Sequence, residues 1–241
     1  MYGFKRFLVS ALSITGLMSI AAPSDAVTLN GFNGSFGTAS TIGDATIQGA
    51  FAGGPTEGSG QALITTGASA VSAQGALEAF IGINSGNLDN GSGFGAQDGS
   101  AINQTFSAAA GATISFNWNF LTNETAGGNN DYAFVIIDRV SSSLPTILAD
   151  VTNAITPTSP FSFQTTFNTF TSAPLTAGTH TISFGVVDID DTTGNSGLLV
   201  DNFTVTAVPF EFSPAAGLLA LGVLFGVDRL RRKIANRKIQ K

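Results

Sequence analysis

Thr113-Ile114-Ser115-Phe116-Asn117-Trp118-Asn119-Phe120 alternates polar and apolar residues without a break. A period of two puts Ile114, Phe116, Trp118 and Phe120 on one face of a strand and the polar residues on the other. A helix cannot segregate that pattern, so the segment demands a sheet with one buried face. Strand-like runs recur at residues 61–66, 99–106, 132–138, 147–151, 161–170, 179–188 and 197–205, with two or three shorter ones between residues 27 and 60. Gly, Asn, Ser and Thr separate them at intervals of roughly 8–15 residues, the rhythm of an antiparallel sandwich. One helix is expected, over residues 68–83, where Val71, Leu77, Phe80 and Ile81 have rough helical spacing. Residues 53–60, 84–99, 123–131 and 188–196 read as loops, which makes Asp89 and Asp98 loop residues. The expected fold is all-β: an antiparallel β-sandwich with one short helix.

Composition agrees. The chain holds 20 Phe and 29 Gly, and only 11% of its residues are charged, against about 25% in ordinary domains. It has no Cys, so no disulfide, thiolate nucleophile or zinc-thiolate site exists. A domain without disulfides must stand on its core alone, which roughly 180 residues permit.

Charge is segregated along the chain. Lys5 and Arg6 stand at the start, and Arg229, Arg231, Arg232, Lys233, Arg237, Lys238 and Lys241 at the end. Arg139 is the only Lys or Arg between Val27 and Val208, facing thirteen Asp and Glu, a formal charge of −12. Phosphate binding needs Lys or Arg, so nucleic acid is excluded as a partner. Cations or neutral polymers such as glycans suit the domain better.

Both ends read as targeting segments. Lys5 and Arg6, an apolar stretch from Phe7 to Ile20, and Ser24-Asp25-Ala26 form a secretory signal peptide, with cleavage expected after Ala26. At the other end, residues 212–227 form an apolar run of 16 residues, about 24 Å as a helix. That is short for a hydrocarbon core of about 30 Å. Snorkelling by Arg229, Arg231, Arg232 and Lys233 offsets part of the difference and sets the C-terminus in the cytoplasm. The division is therefore a signal peptide at 1–26, an ectodomain at 27–207, and a C-terminal sorting signal, transmembrane helix and basic tail at 208–241.

Pro209-Phe210-Glu211-Phe212-Ser213-Pro214-Ala215, a Leu/Gly/Ala/Val helix and Arg229-Leu230-Arg231-Arg232-Lys233 resemble the PEP-CTERM class of sorting tails. The entry tripeptide, Pro209, Phe210 and Glu211, is similar to the Pro-Phe-Glu variant of cyanobacterial proteins rather than to Pro-Glu-Pro. The resemblance implies export, anchoring in the membrane through the C-terminal helix, and processing near Pro209 by an exosortase-like enzyme. The product is either held at the cell surface or released to the extracellular matrix, often beside extracellular polysaccharide.

The domain is poor in catalytic chemistry. His180 is its one His, expected on an edge strand, and without a second nitrogen ligand zinc hydrolysis is disfavoured. Carboxylate catalysis of the glycosidase kind is compositionally open, but the acids show no distinguishing pair, so no catalytic residue is assigned. The richest segment is Asp188-Ile189-Asp190-Asp191-Thr192-Thr193-Gly194-Asn195-Ser196. Hard oxygen ligands in a Gly-containing loop suit Ca²⁺, although Asp and Asn also favour plain turns. Glu124 and Asp131, in the loop Asn123 to Asp131, are expected to meet it in space. The candidate calcium ligands are Glu124, Asp131, Asp188, Asp190, Asp191 and Asp201. Trp118 shares its face with Ile114, Phe116 and Phe120, so core packing is its expected role.

Residues 116–124, 130–135, 184–188 and 196–202 together resemble the jelly-roll ectodomain common in exported proteins with such tails, and their layout is similar to jelly-roll carbohydrate-binding modules. That similarity implies a structural Ca²⁺ beside the last strand, involving Asp201. The expected function is a surface-anchored β-sandwich with a structural or exopolysaccharide-associated role and no enzymatic activity. The alternatives are a calcium-dependent carbohydrate-binding module and, less favoured, a carboxylate-based glycoside-active enzyme.

Overall fold

In a computed structural model, the chain is described at residues 27–28, 37–89, 95–125, 130–139, 143–207 and 229. The signal peptide, Pro209, Phe210, Glu211, the C-terminal helix, Arg231, Arg232 and Lys233 lie outside these residues. Among the described residues no helix is long and apolar enough to cross a membrane.

The described chain is mostly β and forms two antiparallel sheets. The strands in order are β1 Val27–Thr28, β2 Ser40–Ile42, β3 Asp44–Gln48, β4 Gln61–Thr65, β5 Val71–Ser72, β6 Ala96–Ala108 and β7 Thr113–Thr122. They continue with β8 Tyr132–Ile137, β9 Thr146–Asp150, β10 Thr156–Pro157, β11 Phe163–Gln164, β12 Asn168–Thr171, β13 Gly178–Ile189 and β14 Ser196–Thr206. One sheet runs β10-β11-β7-β14-β4-β3, with β1 also on β14 and β12 also on β7. The other runs β2-β6-β13-β8-β9, with β5 also on β6.

The alternation of residues 113–120 behaves as its period requires. Ile114, Phe116 and Phe120 are buried between the sheets, and Trp118 packs partly buried against the same cluster. The facing strand β13 supplies Ile182, Phe184 and Val186, and β14, the neighbour of β7 in the same sheet, adds Leu198, Val200 and Phe203. The Phe content has a specific use here. Phe116 meets Phe184 edge-on at 4.8 Å, Phe184 meets Phe203 at 5.9 Å, and Phe203 meets Phe106 at 5.7 Å. Each contact in this chain crosses from one sheet to the other. Each buried Phe contributes about 1.5–3 kcal/mol, and edge-to-face pairs add about 0.5–1.5 kcal/mol.

The β6-β13-β8 sheet carries a second apolar layer on its outer face, where Leu77, Ile81 and Leu88 cover Tyr132, Phe134, Val187 and Ile189. Gly185 makes room for this layer, because a Cβ there would run into the Phe134 ring. The covering segment is shorter than the expected helix. Val71 and Ser72 pair with β6 instead, and Gln74 and Gly75 are non-helical, Gly75 at φ 110°. Only α1 Glu78–Ile81 is regular, and Gly82 ends it in the left-handed region. The loop expected through residue 99 also ends early. Asp98 stands in β6, paired with Asp188 on β13 and Ser72 on β5.

Candidate functional site

Three carboxylates form a row across adjacent strands at one end of the sandwich. The register sets Asp98 directly opposite Asp188. Asp131 directly precedes Tyr132, which pairs with Val187, so it continues the row on the other side of Asp188. Side-chain parity gives their direction. Asp98 shares its face with Ile102 and Phe106, Asp188 with Ile182, Phe184 and Val186, and Asp131 with Ala133 and Val135. All of those apolar residues belong to the core between the sheets, so the row points into the sandwich.

Asp131 and Asp188 are completely buried. Asp131 accepts one hydrogen bond at each oxygen. Its Oδ1 receives the Ile189 N–H at 2.9 Å, and its Oδ2 receives the Ser196 hydroxyl at 2.7 Å. That hydroxyl has its proton committed, so the Thr122 hydroxyl, 2.8 Å away, donates to it and in turn accepts the Glu124 N–H at 2.9 Å. The chain of donors therefore runs inward and ends on the Asp131 carboxyl group. Asp188 differs: both of its oxygens are buried without a hydrogen-bond partner, as is Oδ1 of Asp98. Burial and then the nearby Asp131 carboxyl push Asp188 up to about 9. Burial also raises Asp98 and Asp131 above the ordinary carboxylate range.

The two loops expected to meet do so. The Asn123 N–H donates to the Asn195 carbonyl at 3.1 Å, and the Glu124 carboxylate lies against Gly194, filling the space a Cβ would need. Burial and the charges of Asp131 and Asp191 raise Glu124. Asp190 is exposed and left-handed at φ 74°. Asp191 turns to its own loop, receiving the Thr193 N–H at 2.6 Å and its hydroxyl at 2.8 Å. Among the described residues, no three His, Cys, Asp or Glu side chains already stand at metal-holding spacing.

Asp201 does not join the row. It is five residues along β14 from Ser196, buried, and saturated by donors. Its Oδ2 receives the Thr56 N–H at 2.6 Å, the Thr56 hydroxyl at 2.7 Å and the Glu57 N–H at 2.8 Å, and its Oδ1 receives the Asn202 N–H at 2.7 Å. Four donors converge on Asp201, three of them on Oδ2, against one on each oxygen of Asp131, and they tie it to a different part of the fold. It pins the loop at residues 55–58. Asp98, absent from the expected ligand set, replaces it in the row. The local sequence around Asp98 is Gly-rich and reads as loop, so only the pairing with β13 reveals it.

Two depressions border the turn Val151–Asn153. That turn is fixed by a reciprocal cap: Asp150 receives the Thr152 N–H at 2.8 Å, and Asn153 Oδ1 receives the Asp150 N–H at 3.0 Å. The first depression, about 320 Å³, is lined by Trp118, Leu148, Ala149, Asn153, Thr165 and Asn168. The second, about 240 Å³, includes Glu124, Ile155 and Phe163. Trp118 thus has a solvent-side face besides its core contact, which strand alternation alone did not reveal.

His180 lies on β13, between β6 and β8, rather than on an edge strand. It stacks on Phe106 at 5.7 Å. Its Nδ1 is 2.5 Å from Asp138 Oδ2, and its Nε2 is 2.9 Å from the Thr176 carbonyl. Two acceptors call for two ring protons, and the Asp138 hydrogen bond raises the imidazole above its ordinary value.

No family model matches the chain, and no curated protein matches it. Solved structures align with it at low identity. TmCBM61 in complex with beta-1,4-galactotriose is 12% identical, over 74% of this chain and 94% of that one, at a TM-score of 0.40. A family 35 carbohydrate binding module from Clostridium thermocellum is 15% identical, over 78% and 100%, at 0.36. The K1 cleaved adhesin domain of Lys-gingipain from Porphyromonas gingivalis W83 is 13% identical, over 77% and 99%, at 0.40. With TM-scores below 0.5, these likenesses do not bear on what this chain binds.

Proposed function

We propose that this chain is an exported β-sandwich, anchored through its C-terminal tail, that contacts neutral extracellular polysaccharide. The observation that carries the glycan contact is the depression at Trp118. An aromatic face stands there beside Asn153, Thr165 and Asn168, with no charged side chain in the lining. A sugar ring offers an apolar face for stacking and hydroxyls for amide and hydroxyl partners. The acidic domain repels anionic polymers and leaves neutral ones favoured. Anchoring rests on the tail sequence: the Pro209-Phe210-Glu211 entry, the apolar run and the basic cluster. Processing by an exosortase-like enzyme would leave a mature chain ending near Pro209, which mass spectrometry of the exported protein reads directly.

A non-catalytic role fits the acids. The adjacent pair Asp131 and Asp188 is buried, whereas glycoside hydrolysis needs two carboxyls flanking a substrate in an open cleft. Calcium-dependent glycan binding is favoured by one observation: Glu124 borders both the row of acids and the depression at Phe163.

Because Trp118 is the only Trp in the chain, its fluorescence reports on its own depression. Titration with neutral polysaccharides should shift the emission saturably, and added salt should leave the affinity unchanged. Emission that no neutral polysaccharide alters would overturn the glycan reading.

A further inference from the structure

The end of the sandwich between β6, β13 and β8 holds more negative charge than it can keep bare. Asp98, Asp188 and Asp131 stand side by side on three neighbouring strands and face inward. Arg139, the only Lys or Arg between Val27 and Val208, is spent elsewhere, donating to the Phe80 carbonyl at 2.9 Å. His180 is paired with Asp138. Taking an ion out of water costs several kcal/mol unless a counter-charge accompanies it. Either protons or a cation must therefore neutralise the row.

The hydrogen bonds favour a cation. Asp131 accepts at both oxygens, so it is set up as a carboxylate. Asp188, fully buried, keeps two open oxygens, and Asp98 keeps a third. One proton shared between Asp188 and Asp131 would occupy one of these and leave the others bare. A single divalent ion answers all of them.

We propose that Asp98, Asp131 and Asp188 hold a divalent cation of the calcium type inside the sandwich end, with Glu124 at its rim. The ligand set is entirely hard oxygen, with no nitrogen or sulfur among these four residues, which matches calcium or magnesium rather than zinc. Calcium suits ligands gathered from three strands better than magnesium, because it accepts irregular coordination at about 2.3–2.6 Å whereas magnesium demands near-ideal octahedral geometry. The side chains close around the ion as it binds, since without it the three carboxylates do not stand at metal-holding spacing. Its binding fastens the loop before β8 to the loop between β13 and β14, which already touch through Asn123, Asn195, Glu124 and Gly194. The cation site is independent of the glycan reading, since its readout needs no sugar.

The test uses the full-length chain, freed of metal with a chelator and then given calcium alone. Elemental analysis should find one calcium per chain. The thermal midpoint should rise by about 5–10 °C at a hundredfold excess over Kd. Asp188→Asn should abolish both effects, while Asp191→Asn, in the adjoining turn, should retain them. If Asp188→Asn does not fold, Asp98→Asn at the less buried end of the row must weaken calcium binding. An unchanged midpoint with no retained calcium would overturn the site and leave the row sharing protons. Loss of binding in Asp191→Asn but not in Asp188→Asn would overturn it too, by placing the ion in the turn.

Discussion

Asp188 faces Asp98 directly across the β13–β6 ladder, and both point into the sandwich among apolar side chains. Like charges opposite one another destabilise a sheet, so without a counter-ion Asp188 holds its proton at neutral pH, with its carboxyl pushed up to about 9. In chelator, Asp188→Asn then replaces a neutral acid by a neutral amide of the same shape and should change stability by less than about 1.5 kcal/mol. In calcium the same substitution should lower the midpoint by the whole increment that calcium adds. Thermal denaturation under the two conditions reads the difference, and an equal shift in both would count against a bound ion.

The His180–Asp138 pair predicts a pH dependence away from that site. Hydrogen bonding to Asp138 raises the folded-state imidazole above its ordinary value. Folding then favours the protonated form. The stabilisation is complete below the unfolded-state pKa of about 6.5 and is lost as pH rises through the folded-state value. Asp138 is 46% exposed, so solvent screening holds the contribution to about 1 kcal/mol or less. Asp138→Asn keeps a residue that tolerates the left-handed backbone at φ 51°. It should flatten the fall in urea stability that sets in as pH rises above about 6.5.

Asp201 acts through hydrogen bonds alone. Asp201→Ala strands the Thr56 and Glu57 donors and should destabilise by about 2–4 kcal/mol, since bonds to a charged acceptor contribute about 1.5–3 kcal/mol. The loss should be the same in calcium and in chelator. A calcium-dependent loss would return Asp201 to the metal.

Gly185 is required by a neighbour rather than by its own backbone. A methyl group there collides with the Phe134 ring, and overpacking of this kind costs about 1–3 kcal/mol. Gly185→Ala should show that loss in chemical denaturation, and Phe134→Leu in the same chain should recover part of it.

Trp118→Phe preserves apolar packing against the core while shrinking the aromatic face at the depression. Polysaccharide retention in affinity electrophoresis should fall several-fold, with stability changed by less than about 1.5 kcal/mol. Asn168→Ala should weaken retention further, because it removes an amide partner for sugar hydroxyls. Unchanged retention in both variants would move the glycan contact to another face.

The sequence by itself determined the sheets, the buried faces and the segregation of charge. A two-residue period is a local property, so residues 113–120 declared their inward face without any neighbour. The loop containing Glu124 and Asp131 was also legible as a partner for the 188–196 loop, because oxygen-rich loops flanking long strands gather at the sandwich ends. The register was not legible. Asp98 and Asp188 are 90 residues apart, and nothing near Asp98 marks it as a strand residue. Whether an acid is bare or saturated, as Asp188 and Asp201 respectively are, depends on which distant backbone N–H groups the fold delivers to it. The same holds for Trp118, whose open side is bordered by Asn153 of the capped turn and by Thr165 and Asn168, all distant in sequence. Strand faces follow from the chain's own dihedral angles, whereas the neighbours of a side chain follow from pairings that close loops of tens of residues, and only the tertiary structure fixes those.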